Sequence, residues 1–412
     1  MNGKAGGFNQ ATLAKIPQTL QEIVDKGAVS GFVTLVWRKG EVVQLNAVGH
    51  RDVDAKKPMQ RDTIFRIASM SKPVTSAAAL MLVEEGRIAL DDPISKHLPE
   101  FAGIKVMKDP DGPLADTEPA IREPTVEDLL IHRSGLAYSF SATGELARGY
   151  DDLLGPAFVR KIGGDDWVQA IASFPLAYQP GERMHYSQST DVLGFLVARV
   201  EGKPLGEVLK ARIFDPLGMN DTAFHVPASK VDRLAKLYTK PADGSPLREV
   251  PLPLAHEPPM FEGGGEGLFS TADDYLRFAR MLLNGGELDG VRLLRPETVA
   301  KMASNHLTPA QRDMDFLGLP FWVSMGFGLG LSVIMDTEAH QAMGAGGEGS
   351  FGWPGAFGTW WQADPVNDVI LMYLIQDFVE LTAETVVGAE QQDVPSRTAL
   401  FLMQKLAYEA LN

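Results

Sequence analysis

The chain has 412 residues, 45% of them hydrophobic and 22% charged, with a formal net charge of −15 and no cysteine. That length can bury a large core shared among two or three structural units, and the missing cysteines exclude disulfides, thiolate metal sites and a cysteine nucleophile. The acidic balance, with no cluster of Lys and Arg, argues against a nucleic-acid groove or an anionic membrane surface as partner, because both reward clustered positive charge.

Residues 1 to 12, MNGKAGGFNQAT, lack a charged-then-apolar secretion pattern, so a cytoplasmic protein is expected. No stretch approaches the roughly 20 apolar residues needed to span a bilayer. Leu13, Ile16, Leu20, Ile23 and Val24 recur at three- and four-residue steps and predict a helix closed by Gly27. Two β-rich runs follow, GFVTLVWRKG and EVVQLNAVG, joined at Lys39-Gly40 as a hairpin. RIASMSKPVTSAAALM, residues 66 to 81, predicts a helix starting near Ser69 with Pro73 in its first turn, where a missing N–H costs little. From about residue 89 to 227 helical patterns dominate, interrupted by loops such as KDPDGPLADTEPAIREP. Near the C-terminus GTWWQAD and VILMYLIQ flank the turn residues Pro365, Asn367 and Asp368, and a last helix covers about residues 394 to 411. Strand pairs at both ends, each flanked by a helix, predict that the termini meet in one antiparallel sheet covered by helices. The expected fold is α/β (α+β): residues 1–88 and 228–412 build one domain, and residues 89–227 an inserted, mostly helical one.

Residues three apart share a helix face, so Ser69 and Lys72 can meet, whereas Ser71 and Lys72 point about 100° apart. This selects Ser69 as the candidate nucleophile. A serine hydroxyl attacks only once something takes its proton, and a neutral lysine amine can do so where an enclosed site disfavours the ammonium form. The plainer alternative is that Ser69 caps the helix and Lys72 is solvated. HYSQSTDVLGFLVARVEG places Tyr186 and Gln188 just before a helix, and GSFGWPGAFGTWW puts Trp353, Gly355 and Ala356 at the entrance of a strand. Taken singly, these read as a packed loop tyrosine and a Gly/Pro turn. GGGEGLFSTADD, from Gly263, reads as a tight turn with Ser270 or Thr271 capping the next helix. Tyr138, Phe140 and Phe357 can line a pocket, with core packing the default for each.

Several other chemistries lack support. GAGGEG and GEGSFG, within residues 344 to 352, fit Gly-x-Gly-x-x-Gly but lead into Trp-Pro-Gly and a strand rather than a helix N-terminus. No serine sits in Gly-x-Ser-x-Gly and no His-Glu-x-x-His occurs, which removes the nucleophile elbow and the zinc-hydrolase signature. Of the histidines, His132 and His185 are expected nearest the cleft.

In this order and at these separations the three motifs resemble the serine hydrolases of the class C β-lactamase and penicillin-binding-protein fold, and most closely the family VIII carboxylesterases. In that fold Ser-x-x-Lys, Tyr-x-Asn and Lys-Thr-Gly line one cleft; here they stand as Ser69-Met-Ser-Lys72, Tyr186-Ser-Gln188 and Trp353-Pro-Gly355. The likeness extends to FRIASMSKPVTSAAALMLVEEGRIALDDPISKHLPEF, LLIHRSGL and GGGEGLFSTADDYLRFARMLLNGG, and so spans most of residues 30 to 375. The resemblance implies a β-lactamase/transpeptidase-like fold in which Ser69 attacks and Lys72 and Tyr186 share the proton work. It implies an oxyanion hole from the backbone N–H groups of Ser69 and Ala356, with Gln188, Trp353 and Gly355 contacting substrate. Neither a metal nor another cofactor is expected. Trp353 replaces a lysine that holds a substrate carboxylate in the lactamases, so neutral acyl esters of short to medium chain are the expected partners. The alternatives are a β-lactamase, a D-amino-acid peptidase or an acyltransferase and, more remotely, a silent binding module. A monomer or small homo-oligomer is expected.

Overall fold

The computed structural model describes residues 5–155, 158–316, 320–341, 344–379 and 394–411. The N-terminal apolar repeat forms helix α1 (Lys15–Asp25), which buries Ile16 and Leu20. The predicted hairpin is β1 (Gly31–Arg38) and β2 (Glu41–Asp52), followed by the short β3 (Lys57–Pro58). Further along come helices α2 (Ser71–Glu84), α3 (Val126–Leu130), α4 (Ser189–Glu201) and α5 (Ala272–Leu283). Strands β4 (Met325–Phe327), β5 (Ser332–Ile334), β6 (Phe351–Gly352), β7 (Trp360–Asp364) and β8 (Val369–Leu374) lead to the last helix, α6 (Pro395–Glu409).

The strands form one antiparallel sheet in the order β4-β5-β6-β7-β8-β1-β2-β3. The two ends of the chain meet where β1 pairs with β8, from Val33 opposite Leu374 to Arg38 opposite Val369, as the strand pattern predicts. Strands buried on both faces read as continuous apolar runs, and alternate side chains then serve different layers. Phe32, Val36, Leu371 and Tyr373 pack with Ile16, Leu20, Met403 and Ala407 of α1 and α6. Val33, Leu35, Ile370 and Met372 face the opposite layer, with Tyr275 and Phe278 of α5.

Helix α2 is the centre of that second layer. Its residues 71 to 80 are all buried, as expected of a helix with no polar face. The same core continues through Leu129 of α3, Trp167, and Leu193 of α4, so α2 lies between the sheet and the mostly helical segment. Two local details differ from expectation. The α-helix begins at Ser71, and Ala68–Met70 form a separate 3-10 turn that carries Ser69. Thr117–Pro119, inside the loop expected over residues 108 to 124, pairs as a strand with Lys105–Met107 just before it. That pair forms because Val106 and Met107 are buried against Leu176, whose backbone exchanges hydrogen bonds with Lys105 and Met107.

Candidate active site

Ser69 sits on a turn tied down on both sides. Phe65–Arg66 pairs with Phe269–Ser270, Ile67 donates to Leu268, and the Tyr275 hydroxyl donates to the Met70 carbonyl at 2.8 Å. Ala68, immediately before the serine, holds a left-handed backbone with φ 46°. For a residue with a Cβ that conformation costs of order 1–3 kcal/mol and persists only where the surroundings over-determine it.

Lys72 is fully buried. Removing a charge from water costs several kcal/mol unless every donor is satisfied. Here the Lys72 amine lies within hydrogen-bond reach of three oxygens: the Gly265 carbonyl at 2.7 Å, the Tyr138 hydroxyl at 3.1 Å and Ser69 Oγ at 3.2 Å. The amine also lies 4.7 Å from the centre of the Tyr186 ring, a cation–π contact. Behind it, Asp191 accepts from the Gly265 N–H at 2.9 Å and from the Tyr138 hydroxyl at 3.3 Å. Burial, then the neighbouring Glu266, pushes the Asp191 carboxyl up to about 6, and burial, then Asp191, pushes the Tyr138 phenol well above its ordinary value. Glu266 itself is paired with Arg160 at 2.8 Å, both buried.

The Tyr186 hydroxyl lies 2.8 Å from Ser69 Oγ and accepts a hydrogen bond from Trp353 Nε1 at 3.1 Å. Its loop is held from behind. His185 N–H donates to the His132 carbonyl, and Ser187 N–H donates to His132 Nδ1, which places the proton of that neutral imidazole on Nε2. Burial first, then Lys72, holds His132 well below its usual range, while burial and Arg183 hold His185 down to about 4. Neither ring therefore charges between pH 5 and 8.

Gly355 places the third motif. A Cβ there would lie 2.4 Å from the Ile67 carbonyl oxygen, and the same oxygen accepts from Thr359 Oγ1 at 3.2 Å. Only glycine lets the turn approach that closely, two residues before Ser69. Ala356 follows in the turn and is exposed. Neither its N–H nor that of Ser69 has a protein acceptor among the described residues. Gln188 is buried directly before α4; its Oε1 has no partner and it makes no hydrogen bond to Ser69 or Lys72 among the described residues.

The structure thus brings Ser69, Lys72, Tyr186 and Trp353 together, sets Gly355 against the Ser69 turn, and leaves Gln188 without a hydrogen bond to Ser69 or Lys72 among the described residues. Sequence reasoning missed four contributors. Tyr138, expected as packing, holds the lysine; its position two residues after LLIHRSGL was the available signal. Gly265, read as part of a structural turn, supplies the shortest contact to Lys72. Asp191 and the Arg160–Glu266 pair carried no local signal. Of the other aromatics, Phe357 is core against Ala68, while Phe140 is half-exposed and stacks on Tyr138 at 4.8 Å. Thr271, rather than Ser270, caps α5 by accepting from Asp274 N–H. Among the described residues no group of His, Asp and Glu could hold a metal ion, and no helix is long and apolar enough to cross a membrane.

Residues 16–393 match the family model described as Beta-lactamase. Protein Rv1367c of Mycobacterium tuberculosis (strain ATCC 25618 / H37Rv) is 48% identical over 396 residues, covering 95% of this chain and 98% of that one. Esterase EstB of Burkholderia gladioli is 34% identical over 379 residues, covering 85% of this chain and 87% of its own. Among solved structures, EstCE1, described as a hydrolase with promiscuous acyltransferase activity, matches with TM-score 0.78 and 28% identity over 95% of this chain and 99% of that one.

Proposed function

Because the chain belongs to the Beta-lactamase family and is a serine hydrolase of the esterase type within it, we propose that it cleaves neutral short- to medium-chain acyl esters through an acyl-enzyme on Ser69. The observation that carries this reading is a single oxygen, Ser69 Oγ, within 2.8 Å of a phenol and 3.2 Å of a buried amine. With either Lys72 as the free amine or Tyr186 as the phenolate, that group takes the Ser69 proton as Ser69 attacks the ester carbonyl, and returns it to the departing alkoxide. The free N–H groups of Ser69 and Ala356 receive the oxyanion. Water then attacks the acyl-enzyme and releases the acid.

Neutral substrates are favoured because, among the described residues, the two basic groups of the site are already met: Lys72 has its three oxygens, and Arg160 has Glu266. Where a lactamase lysine would stand, the Trp353 indole is turned to the Tyr186 hydroxyl. Turnover of p-nitrophenyl butyrate that disappears in Ser69→Ala is the expected result; ordinary turnover in that variant removes the proposed nucleophile. Nitrocefin is expected to be cleaved far more slowly than the ester, and a dominant lactam rate overturns the substrate assignment.

A second reading, acyl transfer to an alcohol, is favoured by the description of EstCE1 as having promiscuous acyltransferase activity. It shares the acyl-enzyme and changes only the acceptor. Adding a short alcohol to the butyrate assay separates the two, since transfer diverts product from butyrate to the new ester.

A further inference from the structure

Lys72 has two anchors besides the nucleophile, and both lead to one carboxylate. The Tyr138 hydroxyl donates to Asp191 Oδ2, and the Gly265 N–H donates to Asp191 Oδ1. With its proton committed to Asp191, the Tyr138 oxygen presents lone pairs to the lysine; with its N–H committed, the Gly265 peptide is held with its carbonyl toward the same amine. Asp191 lies in the first turn of α4, five residues beyond Tyr186, so one helix start sets both the phenol and the lysine anchors.

We propose that Tyr138 and Asp191 are positioning residues, a buried arm that seats Lys72 against Ser69. The charged and titratable groups facing Asp191 are Glu266, Arg160, Lys72 and Tyr138, and the Arg160–Glu266 pair balances the second carboxylate so that Asp191 serves the lysine arm. Groups that orient a reacting side chain act on turnover more than on substrate binding.

The inference rests on the ester-hydrolase reading, and two variants of the full chain test it. Tyr138→Phe keeps the ring stacked on Phe140 and removes one oxygen; Asp191→Asn keeps the shape and removes the charge. In a crystal structure of Tyr138→Phe, Lys72 Nζ is expected beyond hydrogen-bond reach of Ser69 Oγ. On p-nitrophenyl butyrate both variants are expected to lose about 10- to 100-fold in kcat with KM within about twofold. A Tyr138→Phe protein that keeps Lys72 at Ser69 and kcat within about twofold of wild type overturns the proposal. Should Asp191→Asn not fold, Tyr138→Phe decides alone. Wild-type protein that neither turns over esters nor labels at Ser69 with a fluorophosphonate defeats the hydrolase reading, while the position of Lys72 in the Tyr138→Phe crystal still decides the arm.

Discussion

On the Lys72 side of Ser69 the neighbours are polar and buried, with Tyr138, Gly265 and Asp191 in contact and Arg160–Glu266 behind them. On the Tyr186 side they are mostly rings, those of Trp353, Phe316, His132, Phe140 and, shared with the other side, Tyr138; of these only Trp353 gives the phenol a hydrogen bond. The difference follows from what each side holds. A buried amine must have its N–H groups met, so its surroundings admit little substitution. A phenol needs fewer partners, and rings around it exclude water and strengthen the contacts that remain. The polar side therefore positions the amine, and on the proposed ester reading the aromatic side encloses the acyl ester.

Ranked by size, the sharpest way to break this contrast is Lys72→Met, which keeps the apolar stem and leaves Tyr138 and the Gly265 carbonyl without their donor. Ester kcat/KM is expected to fall by about 10³-fold in steady-state assays. Gly265→Ala comes next. Its Cβ would stand 2.9 Å from Asp191 Oδ2 and 3.0 Å from the Tyr138 hydroxyl, so both anchors must shift, and a loss of about 10- to 100-fold in kcat is expected. On the aromatic side, Trp353→Phe removes one hydrogen bond to Tyr186 and keeps a ring. With a net hydrogen bond worth about 1 kcal/mol, a loss of about fivefold is expected, much less than on the polar side. A larger loss for Trp353→Phe than for Gly265→Ala would reverse the comparison.

A separate effect falls on stability rather than on rate. The folded Asp191 carboxyl, at about 6, stands above its ordinary value of 3.8 because of burial. Between those values the folded protein binds the extra proton, so the contribution of Asp191 to stability is full below about pH 4 and is lost as pH rises through about 6. Denaturant melts of wild type and Asp191→Asn should show wild type losing ground to the variant across that window, and a constant difference would mean that the carboxyl titrates elsewhere.

Part of this was legible along the chain. The β-branched and apolar runs GFVTLVWRKG and VILMYLIQ mark strands, and the largely apolar stretch that follows Lys72 marks a helix, because such patterns are local consequences of backbone geometry. The same holds for Ser69 and Lys72, since three residues on a helical path bring two side chains to one face. The start of α2 at Ser71 was not legible, as the 3-10 turn that carries Ser69 is imposed by contacts with residues 268 to 275. The mate of β1 was inferred only as a strand pair at the far end of the chain.

The amino-acid order by itself determined the two terminal strand pairs, the helix after Ser69 and the approach of Ser69 to Lys72, each written in short local spacings. Folding alone decided what holds the lysine, because Tyr138 and Gly265 lie 66 and 193 residues from it, Asp191 lies 53 and 74 residues from those two, and they meet only when α2, α4 and the glycine turn close on one another. A buried charge takes whatever partners the packed chain delivers, and long-range packing leaves no period in the sequence to read.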